Sequence, residues 1–176
     1  MYRLVATCAA LAVAIMAAAC ARTASPTETA TPAASAAPTV TPVSFPETQL
    51  RFRTARADGA LRVEVASTPE QSERGLGYRD ALADDAGMLF DLRDTRVQEF
   101  WMKGMRFALD FVWIGQDKRV VAVTAGVQPQ PGAADADLRR YASPRPVRYV
   151  LEVNAGAAAR LGIDAGAELA FELPPP

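Results

Sequence analysis

The sequence predicts a mainly β protein, a compact antiparallel sandwich or barrel with two short helices, on three observations. Two alternating apolar runs, Leu50 to Thr54 and Leu61 to Val65, flank the turn pair Asp58-Gly59. The run Phe107 to Ile114, which ends in the most strand-like segment, Phe111 to Ile114, turns through Gly115-Gln116-Asp117-Lys118 into Val120 to Val123. Helix signals are confined to two brief segments. Short strands at close spacing with few helices close their apolar faces as a sandwich or a barrel.

The chain opens with a segment of a different kind. Met1 to Ala19 reads as a secretory signal, with Arg3 as a short positive start and an alanine-rich apolar run too short for a good membrane span. Ala17-Ala18-Ala19 before Cys20 resembles the lipobox of bacterial lipoproteins, with Ala17 where leucine is commoner. That resemblance implies lipidation at Cys20, attachment to the cell membrane or outer membrane, and a domain on the periplasmic or extracellular side. Residues 20–47 are rich in Ala, Pro, Thr and Ser and offer little to bury, so they read as a tether. Residues 48–176 are expected to form a single mostly-β domain.

Within that domain, Leu50, Phe52 and Thr54 alternate with charged or polar neighbours, as do Leu61, Val63 and Val65, which predicts a hairpin with one face buried. Thr68-Pro69-Glu70-Gln71 supplies an N-cap, proline at the first helical position and the glutamine of a capping box, so a helix is expected from Pro69 to about Arg74, stopped by Gly75 and Gly77. Gly87 to Phe90 reads as a buried strand ending in a turn at Asp91-Leu92-Arg93-Asp94, and Val97 to Met102 as the next strand. From Phe107 to Ile114, Phe107, Leu109, Phe111 and Trp113 fall on one face, and Ala108, Asp110, Val112 and Ile114 on the other. Gln128 to Pro146 reads as a long loop, and Arg148 to Val153 as a strand. Asn154 is expected to cap a short helix ending at Leu161 with Gly162 as the stop, before a last strand from Glu168 to Glu172.

Composition excludes several chemistries. The 176-residue chain has no histidine and only two cysteines, Cys8 and Cys20, which removes Ser-His-Asp and Cys-His nucleophile systems and histidine-bearing zinc sites. A formal net charge of -1 creates no global field for nucleic acid, and no nucleic-acid partner is expected. No metal site or cofactor is expected either: Asp84-Asp85 and Asp91 with Asp94 lack the spaced oxygen ligands of a calcium loop and read as solvated turns.

One constellation stands out. Phe100-Trp101-Met102-Lys103 with Leu109-Asp110, together with Arg74-Gly75-Leu76, Arg79, Gly87-Met88-Leu89-Phe90 and Leu151-Glu152 followed by Gly156, resembles the bacterial and archaeal family called domain of unknown function 192. The resemblance covers about Val63 to Phe171 and implies one compact mostly-β domain without an established activity. Two departures matter. Gly77 occupies a place where the family commonly has Met, and Gly104-Met105 a place where it commonly has Asn-Thr.

Asp110, set among Leu109, Phe111 and Val112, is expected to need a cation or backbone donors, since an unpaired buried carboxylate costs several kcal/mol. Lys103, Arg79 and Arg74 are the candidate cations. The same residues with Trp101 and Glu152 make up a candidate ligand pocket, in which an indole could stack on a sugar ring or a cationic ligand. No catalytic residue is assigned. The expectation is a binding or accessory module of the cell envelope, tethered to the membrane through Cys20, with a glycan or protein partner. Two alternatives stand beside it: a hydrolase on envelope carbohydrate pairing Asp110 with Glu73, Asp85 or Glu152, and a structural partner of another envelope protein.

Overall fold

The computed structural model describes residues 43–175; the expected leader, Cys20 and the tether as far as residue 42 lie outside the described residues. Strands β1 (Glu47–Arg53) and β2 (Asp58–Ala66) form the expected hairpin, with Leu50 opposite Leu61 and Phe52 opposite Gly59. Its turn lies earlier than Asp58-Gly59. The Thr54 hydroxyl donates to the Ala57 carbonyl at 2.8 Å and accepts from the Ala57 amide at 2.9 Å, closing the loop before Asp58. Gly59 instead leaves room for a ring: a Cβ there would stand 2.3 Å from Phe52.

The fold begins upstream of Thr48. The Val65 amide donates to the Pro46 carbonyl at 2.7 Å, and the Gln71 side-chain amide donates to the Ser44 carbonyl at 2.7 Å. Phe45 packs beneath the Arg79 guanidinium, 5.4 Å from its ring centroid. These anchors hold the last residues before β1 against the domain.

Helix α1 (Pro69–Arg74) is as the sequence predicts, with the reciprocal Thr68 and Gln71 capping bonds formed and Gly75 ending it at φ 46°. Strand β3 (Ala86–Arg96) pairs with β2 in parallel, which requires a long crossover. Residues 67–85 supply it. The turn expected at Asp91 to Asp94 is absent, because β3 runs through to Arg96 with an irregularity after Asp91. The buried Asp91 carboxylate lies 3.1 Å from Arg93 and 3.4 Å from Arg148, so the acidic residue stays in the sheet with its charge compensated.

The strand expected from Val97 to Met102 is reduced to β4 (Glu99–Phe100), which pairs outside the main sheet with β7 (Tyr141–Ala142). Gln98 and Ser143 lock this ribbon with two bonds, from the Gln98 amide to Ser143 Oγ at 3.0 Å and from the Ser143 amide to the Gln98 carbonyl at 2.9 Å. Strands β5 (Leu109–Ile114), β6 (Val120–Val127), β8 (Val147–Asn154) and β9 (Glu168–Ala170) complete the main sheet. Its seven strands run β6-β5-β8-β3-β2-β1-β9 and curl into a half-barrel, whose edges meet at a bridge between Arg119 and Glu168. The protein is mainly β, as its sequence predicts.

Strand β5 is buried along its whole length, and its two faces enter different cores. Leu109, Phe111 and Trp113 join Leu76, Met88, Phe90, Met102 and Val150 on one face. Val112 and Ile114 join Leu50, Val63, Leu89, Leu151 and helix α2 (Ala157–Leu161) on the other. Asn154 does not cap α2: its side-chain amide donates to the Leu82 carbonyl at 2.9 Å, and the N-cap is Gly156 at φ 82°. The αL conformation there is open to glycine at little cost, whereas a side chain would destabilise it.

Candidate functional site

The crossover between β2 and β3 stands over one face of the sheet, and the β4–β7 ribbon stands over the same face. Between them opens a cleft of about 430 Å³. One wall is Ser72 to Gly77, the other Gln98 to Trp101, with Lys103 and Met105 closing one end. Phe90, Leu92 and Glu152 form the floor. Apolar side chains therefore dominate the interior, with a few charged groups at the mouth, the usual arrangement of a small-molecule site.

Glu152 is the polar group of the floor. It pairs with Met88 on β3 and Phe111 on β5, so it points to the same face as both. Only 5 % of the residue is exposed, and no hydrogen bond or ion pair to its carboxyl forms among the described residues. Burial pushes this carboxyl up to about 8, because the charged form loses most of its water and meets no compensating cation among the described residues. At neutral pH it is mostly a carboxylic acid, able to donate as well as accept.

Trp101 lines the wall half-buried, with the Arg140 guanidinium 3.7 Å from its ring centroid. Lys103 extends to Asp135 at 2.7 Å, and that hydrogen bond and charge raise the Lys103 pKa. These two contacts fasten the long 128–146 loop to the lip of the cleft. Arg74, on the α1 side, lies 4.9 Å from the centroid of the exposed Tyr78 ring.

Of the six residues expected to share a pocket, Arg74, Trp101, Lys103 and Glu152 do so. Arg79 does not line the cleft; it is engaged by Glu64 at 2.5 Å. Asp110 lies elsewhere. It pairs with Val153, the neighbour of Glu152, and therefore points to the opposite face of the sheet. There it is wholly buried, and its two oxygens accept from the Gly126 amide at 2.8 Å and the Ala158 amide at 3.1 Å. None of Lys103, Arg79 and Arg74 pairs with it, so the expected ion pair is replaced by backbone donors. Asp110 does the capping work expected of Asn154, reaching α2 from a separate strand.

The same geometry removes Asp110 from a carboxylate pair, since Glu152 is across the sheet from it and Glu73 lies on the cleft side. Asp85 borders a different hollow beside Arg62. Glu73 and Glu152 are the carboxylates that the cleft brings together with Glu99. Among the described residues no group of three or more His, Cys, Asp and Glu is placed to hold a metal ion.

The two departures from the family pattern are neighbours in space. A Cβ on Gly77 would approach the Lys103 carbonyl at 3.0 Å, and the Tyr78 amide donates to the Gly104 carbonyl at 2.7 Å. Gly104 has φ 68°, a conformation that Asn adopts more readily than other residues with a side chain. Met105 lines the cleft together with Gly77, so a thioether reaches this corner from position 105 and not from position 77. Sequence alone does not single out Gln98, Ser72 and Met105, because only the crossover and the ribbon together bring them to one hollow.

The profile of a family described as uncharacterised ACR, domain of unknown function 192, matches residues 51–171. A crystal structure from Sinorhizobium meliloti, described provisionally as a transcription regulator, is 37% identical, with a TM-score of 0.67 over 74% of this chain and 98% of that one. A protein of unknown function from Novosphingobium aromaticivorans is 32% identical, with a TM-score of 0.66 over 77% of this chain and 94% of that one. No curated protein matches the chain.

Proposed function

Because the chain belongs to the DUF192 family, which is uncharacterised, we propose its function from the cleft: a binding module that holds a small ligand between α1 and the β4–β7 ribbon. The observation that carries this is Glu152. A carboxyl nine-tenths buried, without a partner among the described residues, on the floor of an apolar cleft is a net penalty to folding unless it meets something that enters. Trp101 at the wall supplies the broad surface on which the C–H face of a sugar, or a flat ring, rests.

The module acts at the cell envelope, carried there by the signal of residues 1–19 and held by lipid on Cys20, with the stretch from residue 20 to about residue 42 as spacer. Acyl chains contribute about 0.8 kcal/mol per buried methylene, so a multiply acylated Cys20 would hold the domain at the bilayer durably. Mass spectrometry of the mature N-terminus tests this: an unmodified chain beginning at Cys20 or Ala21 rules out the anchor. The regulator description of the Sinorhizobium protein is not carried over. Among the described residues the α-helices have 6 and 5 residues, short for a helix that reads a major groove.

The binding reading is tested by screening the purified protein against envelope glycan fragments, with Ser72→Trp as a variant that fills the mouth from α1. Binding in the wild type and its loss in a folded Ser72→Trp protein is the expected result. Equal binding in both would place the ligand elsewhere.

A further inference from the structure

Glu152 also restricts what the ligand can be, an inference that rests on the binding role proposed for the cleft. The charged groups around the cleft are Glu73 and Arg74 from α1, Glu99 from β4 and Lys103 beyond it. Lys103 is engaged by Asp135 and Arg74 lies over Tyr78. Across the sheet, Glu64, Met88, Glu152 and Phe111 form one row, and Glu64 at its end is taken by Arg79. Asp91 pairs with Tyr149, whose ring belongs to the opposite core, so it does not face this carboxyl. Among the described residues no charge of either sign is committed to Glu152.

A cationic ligand would pass Arg74, Lys103 and the Arg140 on Trp101, and then shed its water in an apolar cleft. An anionic ligand would pass Glu73 and Glu99. An uncharged ligand avoids both penalties, and what it needs from the floor is a donor for its one buried acceptor. We infer that the Glu152 carboxyl is a hydrogen-bond donor to the carbonyl of an acetamido group, such as N-acetylated amino sugars carry. The acetamido methyl lies among Leu76, Phe90, Phe100 and Met105, and the sugar ring lies toward Trp101.

The test measures competition of N-acetylglucosamine, glucosamine and glucose with the neutral dye Nile red, at pH 6 and pH 9.5. Wild type, Glu152→Gln and Glu152→Met are compared, with Ser72→Trp as the filled-cleft control. Only N-acetylglucosamine should compete at pH 6, and its affinity should fall about 30-fold by pH 9.5 as the proton is lost. Glu152→Gln keeps a donor and should bind at both pH values alike, while Glu152→Met should lose the sugar and retain the dye. Glucosamine competing in preference, more tightly at high pH and not in Glu152→Gln, would overturn the inference in favour of a carboxylate that takes a cation. Dye binding that Ser72→Trp abolishes but no sugar affects would overturn the acetamido assignment and leave the cleft a binding site. If neither dye nor sugar binds, both readings fall. Carbon-13 titration of the Glu152 carboxyl in the free protein tests the donor role independently: an ionised group at pH 6 defeats it.

Discussion

The Asp110 carboxylate on β5 accepts the amide of Ala158 in the first turn of α2, a bond that spans 48 residues of sequence. Its second oxygen takes the Gly126 amide in β6. One buried carboxylate thus ties a strand to the helix above it and to the edge strand beside it. Asp110→Asn keeps one acceptor but turns a donor toward the other amide. The expected loss is about 1 to 3 kcal/mol in denaturant unfolding, with faster hydrogen exchange at Gly126 and Ala158. Asp110→Ala should lose more, since both amides are then unmet. Lys103→Met should leave the exchange at Gly126 and Ala158 unchanged, because Lys103 has no part in this network.

Glu152 makes stability depend on pH in the opposite direction from a paired carboxylate. Its folded value of about 8 lies above the ordinary 4.5, so as pH rises the unfolded chain releases this proton first. The contribution is whole below about pH 4.5 and is lost progressively until pH passes 8, where the loss levels off. Glu152→Gln should match the wild type near pH 4 and exceed it by roughly 2 to 5 kcal/mol above pH 8, at about 1.4 kcal/mol for each pH unit separating the folded and unfolded values. Urea unfolding across that range measures it, and a gap that does not widen with pH would refute the burial effect.

Much of this arrangement is legible in the sequence. Alternation along Phe107 to Ile114 separates the residues that the structure sends to two different cores. Local signals such as the Thr68 capping box are equally plain, because their partners are three residues apart. The long-range partner is what sequence does not supply. Asp110's need is written in its apolar neighbours, but backbone amides carry no mark in a sequence, so the nearby cations stand in for them. The parallel pairing of β2 with β3 is hidden for a similar reason: a crossover of turn-rich residues reads as a loop whichever way the next strand runs.

Thr68→Ala should weaken α1 by about 1 kcal/mol, since the hydroxyl accepts the Gln71 amide at 3.2 Å. The helix provides Ser72 to Arg74 of the cleft wall, so ligand affinity should fall together with local exchange protection while the sheet amides keep theirs.

Gly104 combines φ 68° with a Cβ position 2.8 Å from the Tyr78 ring. Both Gly104→Ala and Gly104→Asn must displace the half-exposed Tyr78 ring, against which Arg74 also lies, but alanine resists the backbone conformation more than asparagine does. The alanine variant should therefore be less stable than the asparagine variant, by about 1 kcal/mol in thermal or chemical unfolding.

Splitting the greasy interior into two compartments with β5 as a shared partition leaves the protein free to change one without disturbing the other. The compartment beneath α2 packs Leu50, Val63, Val112, Ile114 and Leu151 against that helix. The compartment below the mouth can trade one side chain for another, as the methionine that reaches it from position 105 illustrates, and so can be retailored to new guests over evolutionary time. Related proteins could thus share an unaltered scaffold while differing in what they hold.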